Sequence, residues 1–195
     1  MPTEFIDNVK GFLLNPTETL IAHRYESLGD ALRYFVILLA IFGALNGIMM
    51  GLGLSMAQDL ASASGGMGAF GAIVTTLVAI VAMIIFGVIG LFIGGVILHI
   101  FVYIAGGRKD VSTTIRSAIY SATPNLLFGW IPFIGFLAGI WSLILQVLAI
   151  KELHEISTAR AVVAVILPFI LMLILVVLAL SFFLISGPTI THAHY

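Results

Sequence analysis

From Leu60 to Gly107 the chain carries no Asp, Glu, Lys or Arg, and Tyr34–Leu54, Ser117–Ile150 and Ala161–Tyr195 share that property. A helix rises about 1.5 Å per residue, so crossing about 30 Å of hydrocarbon takes about 20 apolar residues. Runs of this length leave a lipid bilayer as the main solvent. Composition agrees: 9% of the 195 residues are charged, too few to cover a water-soluble body, and mean hydropathy is +1.21. The lack of cysteine removes disulfides, thiolate metal sites, iron–sulfur clusters and cysteine nucleophiles. A net charge of −1 argues against nucleic acid. The first apolar run follows a mixed segment and has no small-residue cleavage site behind it, so it reads as a span and not as a removable signal.

Gly129-Trp130-Ile131-Pro132-Phe133-Ile134-Gly135 has the composition of a tight interfacial turn and divides Ser117–Ile150 into two crossings. Ala72–Ile104 would make a helix of about 50 Å, too long for one upright span and too short for two with a turn. Charge parity decides. Every Lys and Arg falls in one of three places: Lys10, Arg24 and Arg33; Arg108, Lys109 and Arg116; Lys151 and Arg160. Basic residues favour the cytoplasmic side, and only a single crossing of Ala72–Ile104 keeps all three clusters there. The expectation is an all-α integral membrane protein with spans near 31–54, 72–105, 111–128, 133–150 and 158–186. Its amino terminus is cytoplasmic, and residues 188–195 form a short tail outside the cytoplasmic membrane.

Gly106-Gly107 stops the second span, Asp110 or Ser112 caps the third, and Ser157 caps the fifth, which ends at Gly187-Pro188. Pro124 and Pro168 each remove a backbone donor, so kinks are expected there, with the carbonyls of Tyr120 and Ala164 left free. In residues 1–30, Phe5, Ile6, Val9, Phe12 and Leu13 recur at helical spacing until Asn15-Pro16 breaks the pattern. This predicts an amphipathic helix on the cytoplasmic interface, with a second over residues 17–28. Ser62–Gly71 reads as a small-residue outer loop.

No charged residue falls at a predicted membrane depth, which argues against ion pumping or proton relay. The intramembrane polar residues are Asn46, His99 with Tyr103, Thr123 with Asn125, and Ser142 with Gln146. Interhelical hydrogen bonding is the commoner use of such groups, and a polar path or ligand pocket the rarer one. Gly43, Gly47 and Gly51 repeat every fourth residue, and Gly87, Gly90 and Gly94 share a face of the next span. These stripes favour packing of the first span on the second over a seam between copies, although a homo-oligomer stays open. Serine protease, aspartyl protease and desaturase constellations are all missing, so no catalytic, cofactor or metal residues are assigned. His192 and His194 make too weak a pair for a metal site.

Gly106-Gly107-Arg108-Lys109, Ser112 to Ile119 leading into Tyr120-Ser121-Ala122-Thr123-Pro124, Trp130-Ile131-Pro132-Phe133-Ile134-Gly135, and Lys151-Glu152-Leu153-His154-Glu155-Ile156-Ser157 before Ala159-Arg160-Ala161 together resemble the prokaryotic branch of the Yip-one domain family. The resemblance covers roughly Ala31 to Ile185. It implies a five-helix transmembrane bundle with a cytoplasmic amino terminus. Eukaryotic members are associated with Rab-type GTPases, vesicle traffic and membrane shaping. Their Asp-Leu-Tyr-Gly-Pro motif is missing here, so a GTPase partner is not carried over.

The functional expectation is a non-enzymatic protein that organises membrane, lipids or partner proteins through its cytoplasmic face, where eight of the nine acids join all eight bases. Arg108, Lys109, Arg116, Lys151, Glu152, His154, Glu155 and Arg160 form the expected surface for an unidentified protein partner or anionic lipid. The alternative is a small oligomeric channel or transporter lined by Asn46, His99, Asn125 and Gln146.

Overall fold

The computed structural model describes residues 2–51 and 68–186, and every regular element among them is an α-helix. They are α1 (Pro2–Leu14), α2 (Pro16–Ala22), α3 (Leu28–Gly51), α4 (Gly68–Ile104), α5 (Val111–Ser121), α6 (Thr123–Phe128), α7 (Ile134–His154) and α8 (Thr158–Ser186). Among the described residues four stretches are long and apolar enough to cross a membrane: Leu28–Met49, Thr76–Ile104, Ile134–His154 and Thr158–Phe183. Ser62–Met67, the tail from Pro188, His192 and His194 lie outside the described residues.

Ala72–Ile104 runs within one unbroken helix, because nothing in it interrupts the backbone ladder. It ends in a Schellman motif: Gly106 takes φ 101°, Gly107 N donates to Val102 O at 2.9 Å, and Gly106 N donates to Tyr103 O at 3.1 Å. α7 ends the same way with a residue that pays for the conformation. Glu155 sits at φ 56°, ψ 42°, while Ile156 N donates to Lys151 O at 3.2 Å.

The expected third span is where structure and sequence part. Residues 111–128 form two helices, neither long and apolar enough to count as a span. The chain breaks at Ala122 instead of kinking, because Pro124 serves as an early residue of α6. Nor is the Tyr120 carbonyl left free: Thr123 Oγ1 donates to it at 2.8 Å. α5 is polar because its surroundings are protein. It packs on α3, α4 and α7, and eight of its eleven residues are buried.

The turn after α6 is held by Gly129 N to Asn125 O at 2.8 Å and Gly135 N to Ile131 O at 2.7 Å. The amino-terminal helices also depart from expectation. Phe5 and Val9 pack against the core and Phe12 is fully buried within it, its ring stacked on Tyr120 at 4.8 Å. Only Ile6 and Leu14 of α1 remain as exposed large apolar side chains. Aromatic partners inside the protein therefore take the face expected at the lipid interface.

Candidate functional site: the polar column of α5 and the charged end

α5 begins at Asp110, whose carboxylate accepts from Thr113 N at 3.3 Å, from Ser112 Oγ at 2.6 Å and from Thr113 Oγ1. Those hydroxyl donors hold Asp110 down at about 2, below the ordinary carboxylate range. One turn on, Thr114 Oγ1 lies 2.7 Å from His99 Nδ1 and 2.9 Å from His154 Nε2. A hydroxyl has one proton and two lone pairs, so at least one imidazole must donate to Thr114. His154 Nδ1 is buried beside Gly107 with no partner among the described residues. A bare lone pair there costs less than a stranded N–H, which puts the proton of His154 on Nε2, where it is donated to Thr114.

Two further layers follow along the helix. Gln146 donates through Nε2 to Ser117 Oγ at 3.0 Å and accepts from Ser121 Oγ at 2.5 Å. Tyr34 Oη and Thr123 Oγ1 share a hydrogen bond of 2.9 Å. On another side Arg116, only 8% exposed, sends Nη1 to the carbonyls of Arg24 and Glu26, both at 2.8 Å, and Nη2 to Thr113 Oγ1 at 3.2 Å. Tyr120 Oη donates to Glu26. α5 thus fastens the α2–α3 loop to the centre of the molecule.

Ion pairs collect above this column. Glu155 meets Arg24 at 3.2 Å and Lys109 at 3.2 Å, Arg24 reaches Glu152 at 3.8 Å, and Lys151 pairs with Glu152 at 2.6 Å. Arg108 donates to Tyr103 O at 2.7 Å and lies 4.2 Å from the Tyr103 ring centroid. The start of α3 and the ends of α4 and α7 therefore share one end of the molecule. Residues 10–179 match the family model of the Yip1 domain. The chain belongs to the Yip1 domain family. Neither the curated proteins nor the solved structures include a match. It is a multi-pass membrane protein, and its apolar helices meet lipid.

Several residues of this Yip1-domain protein stand elsewhere than expected. Arg116 and His154 are buried and bonded to protein, so they leave the expected partner surface to Arg108, Lys109, Lys151, Glu152, Glu155 and Arg160. Backbone carbonyls hold the Arg116 guanidinium and Thr114 holds His154 Nε2, which takes both side chains away from interfacial water. Tyr103 does not join His99: it is 56% exposed and lies against Arg108. Asn46 donates to Phe42 O of its own helix at 2.8 Å. His99 and Gln146 belong to separate layers of the α5 column, and Asn125 is exposed, so the four expected pore residues do not line one path.

The glycines divide as well. A Cβ on Gly43 would lie 3.0 Å from Ile80 Cα, one on Gly47 2.7 Å from Thr76 Cγ2, and one on Gly87 2.8 Å from the Leu39 side chain, all across the α3–α4 seam. Gly90 and Gly94 face open space. The second stripe turns away from α3 after Gly87, and Gly95 meets Ile115 of α5 instead. Gly51 is the final residue of α3. Pro168 lies inside α8, and the carbonyl expected to be free belongs to fully buried Ala164. Thr114, Tyr34 and Glu26 were not among the expected site residues, and Arg24 was expected only as a member of a basic cluster. For Thr114 the signal was the run of hydroxyl residues over 112–123, dense enough to mark a helix surrounded by protein.

Proposed function

We propose that this protein is a non-enzymatic organiser of the membrane that meets anionic lipid or a partner protein through its charged end. The observation that carries the reading is the cluster joining Arg24, Lys109, Glu152 and Glu155 from three separate segments. It presents a charged surface with Arg108, Lys109 and Arg160 exposed on it. Basic groups at a membrane surface contribute about 1 kcal/mol each toward anionic headgroups. Among the described residues no three His, Asp or Glu side chains gather as a metal site, and the α5 hydroxyls of Thr114 and Ser121 are bonded to His154 and Gln146 of α7.

The same proposal takes five crossings, with the amino terminus cytoplasmic. α7 ends at the charged end and α5 starts there, so residues 111–133 must return the chain along the whole of α7. α7 is about 31 Å long at about 1.5 Å per residue, and the α5–α6 pair supplies about 27 Å of it. A cytoplasm-only reporter should be active after Asp110 and silent after Tyr195; activity at both would remove the five-span topology. Arg108→Glu with Arg160→Glu should cut co-purifying anionic lipid or protein severalfold. Solute flux in liposomes that depends on His99 and Gln146 would replace the organiser with a channel.

A further inference from the structure

A cavity of about 490 Å³ lies between α4, α5–α6, α7 and α8. Its lining is apolar at Leu143, Phe169 and Met172, all exposed, and polar at Ser121, Asn125, Ser142 and Gln146. The volume falls within the range of about 300–1,000 Å³ usual for small-ligand sites. A helix, about 10 Å across, does not fit such a space. Two glycines keep it open: a Cβ on Gly94 or on Gly139 would meet nothing within 4 Å.

The polar part of the lining is not saturated. Gln146 and Ser121 are bonded to each other. Ser142 Oγ accepts from Asn125 N at 3.1 Å, which leaves the hydroxyl proton available, and the Asn125 side-chain amide has no partner among the described residues. Counted along α7, α8 and α5–α6 at about 1.5 Å per residue, the cavity spans about 12 to 22 Å from the charged end, deep within the hydrocarbon. Unsatisfied donors at that depth favour an occupant that brings its own acceptor. No Lys or Arg lines the cavity, so a phosphate would enter uncompensated.

We infer that this cavity binds a neutral membrane lipid, whose carbonyl oxygen accepts from the Asn125 amide and the Ser142 hydroxyl while its chain lies against Phe169 and Met172. The inference requires only that the helices sit in a bilayer and is independent of any role of the charged end. The test uses the full chain in vesicles carrying a photoactivatable diacylglycerol or, separately, phosphatidylglycerol with the same photoactivatable chain. Diacylglycerol should label α7 and α8 at least threefold more than phosphatidylglycerol. Gly94→Leu and Gly139→Leu should each lower that labelling at least fivefold with thermal stability retained. Asn125→Leu should erase the preference for diacylglycerol. Gly90→Leu, also beside open space but away from the cavity, should change nothing. If either leucine variant fails to fold, the other and Asn125→Leu decide. Labelling that survives in the folded filled variants, falls equally in Gly90→Leu, or shows no preference between the two lipids would overturn the inference.

Discussion

α5 and α8 invert what a water-soluble protein would show. α5 is rich in Ser and Thr, contains an arginine, and is the most enclosed helix among the described residues. α8 is among the most apolar helices, yet every side chain from Phe169 to Phe183 is exposed. Only its first turns, through Ala161, Ala164 and Val165, pack on Val102 and Ile150. Lipid is as apolar as leucine, so burying α8 further offers little, whereas hydroxyls and a guanidinium gain greatly from partners away from lipid. Polarity here holds the centre, and apolarity holds the protein in its solvent.

The largest effect expected from this contrast is at Arg116. Arg116→Met keeps much of the volume but removes two hydrogen bonds to carbonyls, and bonds from a charged donor are worth about 1.5–3 kcal/mol each. A loss of about 3 kcal/mol or more is expected in unfolding from detergent micelles, together with protease sensitivity in the α2–α3 loop. A neutral or stabilising outcome would mean that the polar centre contributes nothing to stability.

Next comes a pair of glycines. Gly47→Leu would press against the Thr76 backbone, 3.0 Å from the position of its Cβ, and should cost about 1–3 kcal/mol or prevent folding. Gly90→Leu, which faces open space, should leave the melting temperature unchanged. Equal behaviour of the two would break the distinction between seam and lipid face.

A smaller effect is expected at the start of α5. Asp110→Ala removes the helix cap and should cost about 1 kcal/mol. The cap also sets a pH dependence. Because the folded state lowers the Asp110 pKa from 3.8 to about 2, its contribution is complete above about 4 and fades as pH falls toward 2. Acid unfolding followed by circular dichroism should show this slope in the wild type and lack it in Asp110→Asn.

The smallest effect belongs to outer α8. Leu175→Ala, at a side chain 57% exposed, should change stability by less than about 0.5 kcal/mol. Ile119→Ala in α5, where the side chain is fully buried, should cost about 2–5 kcal/mol. A large loss at Leu175 would mean that outer α8 is covered by a partner in the membrane.

Much of the fold follows from local chemistry. Gly106-Gly107 permits the left-handed stop of α4, Gly129 and Gly135 permit a tight turn, and uninterrupted apolar runs make α3, α4, α7 and α8 helical whatever surrounds them. The candidate site was less legible. Arg116 and His154 look like surface groups beside Lys109 and Lys151 in sequence, and nothing local distinguishes an arginine held by two distant carbonyls from one in water. Phe12 likewise fits a membrane interface and a Tyr120 ring equally well.

The sequence by itself determined that this chain is helical, that it lives in a bilayer, and where its basic residues group, because charge frequency and apolar run length act through solvation residue by residue. Only the tertiary structure decided that 111–128 is a broken inner helix, that α1 folds back onto the core, and that Gly94 and Gly139 open a cavity above Asn125. Those outcomes depend on which surfaces meet across more than twenty residues of chain, and a hydroxyl or a glycine carries no mark of its eventual neighbour.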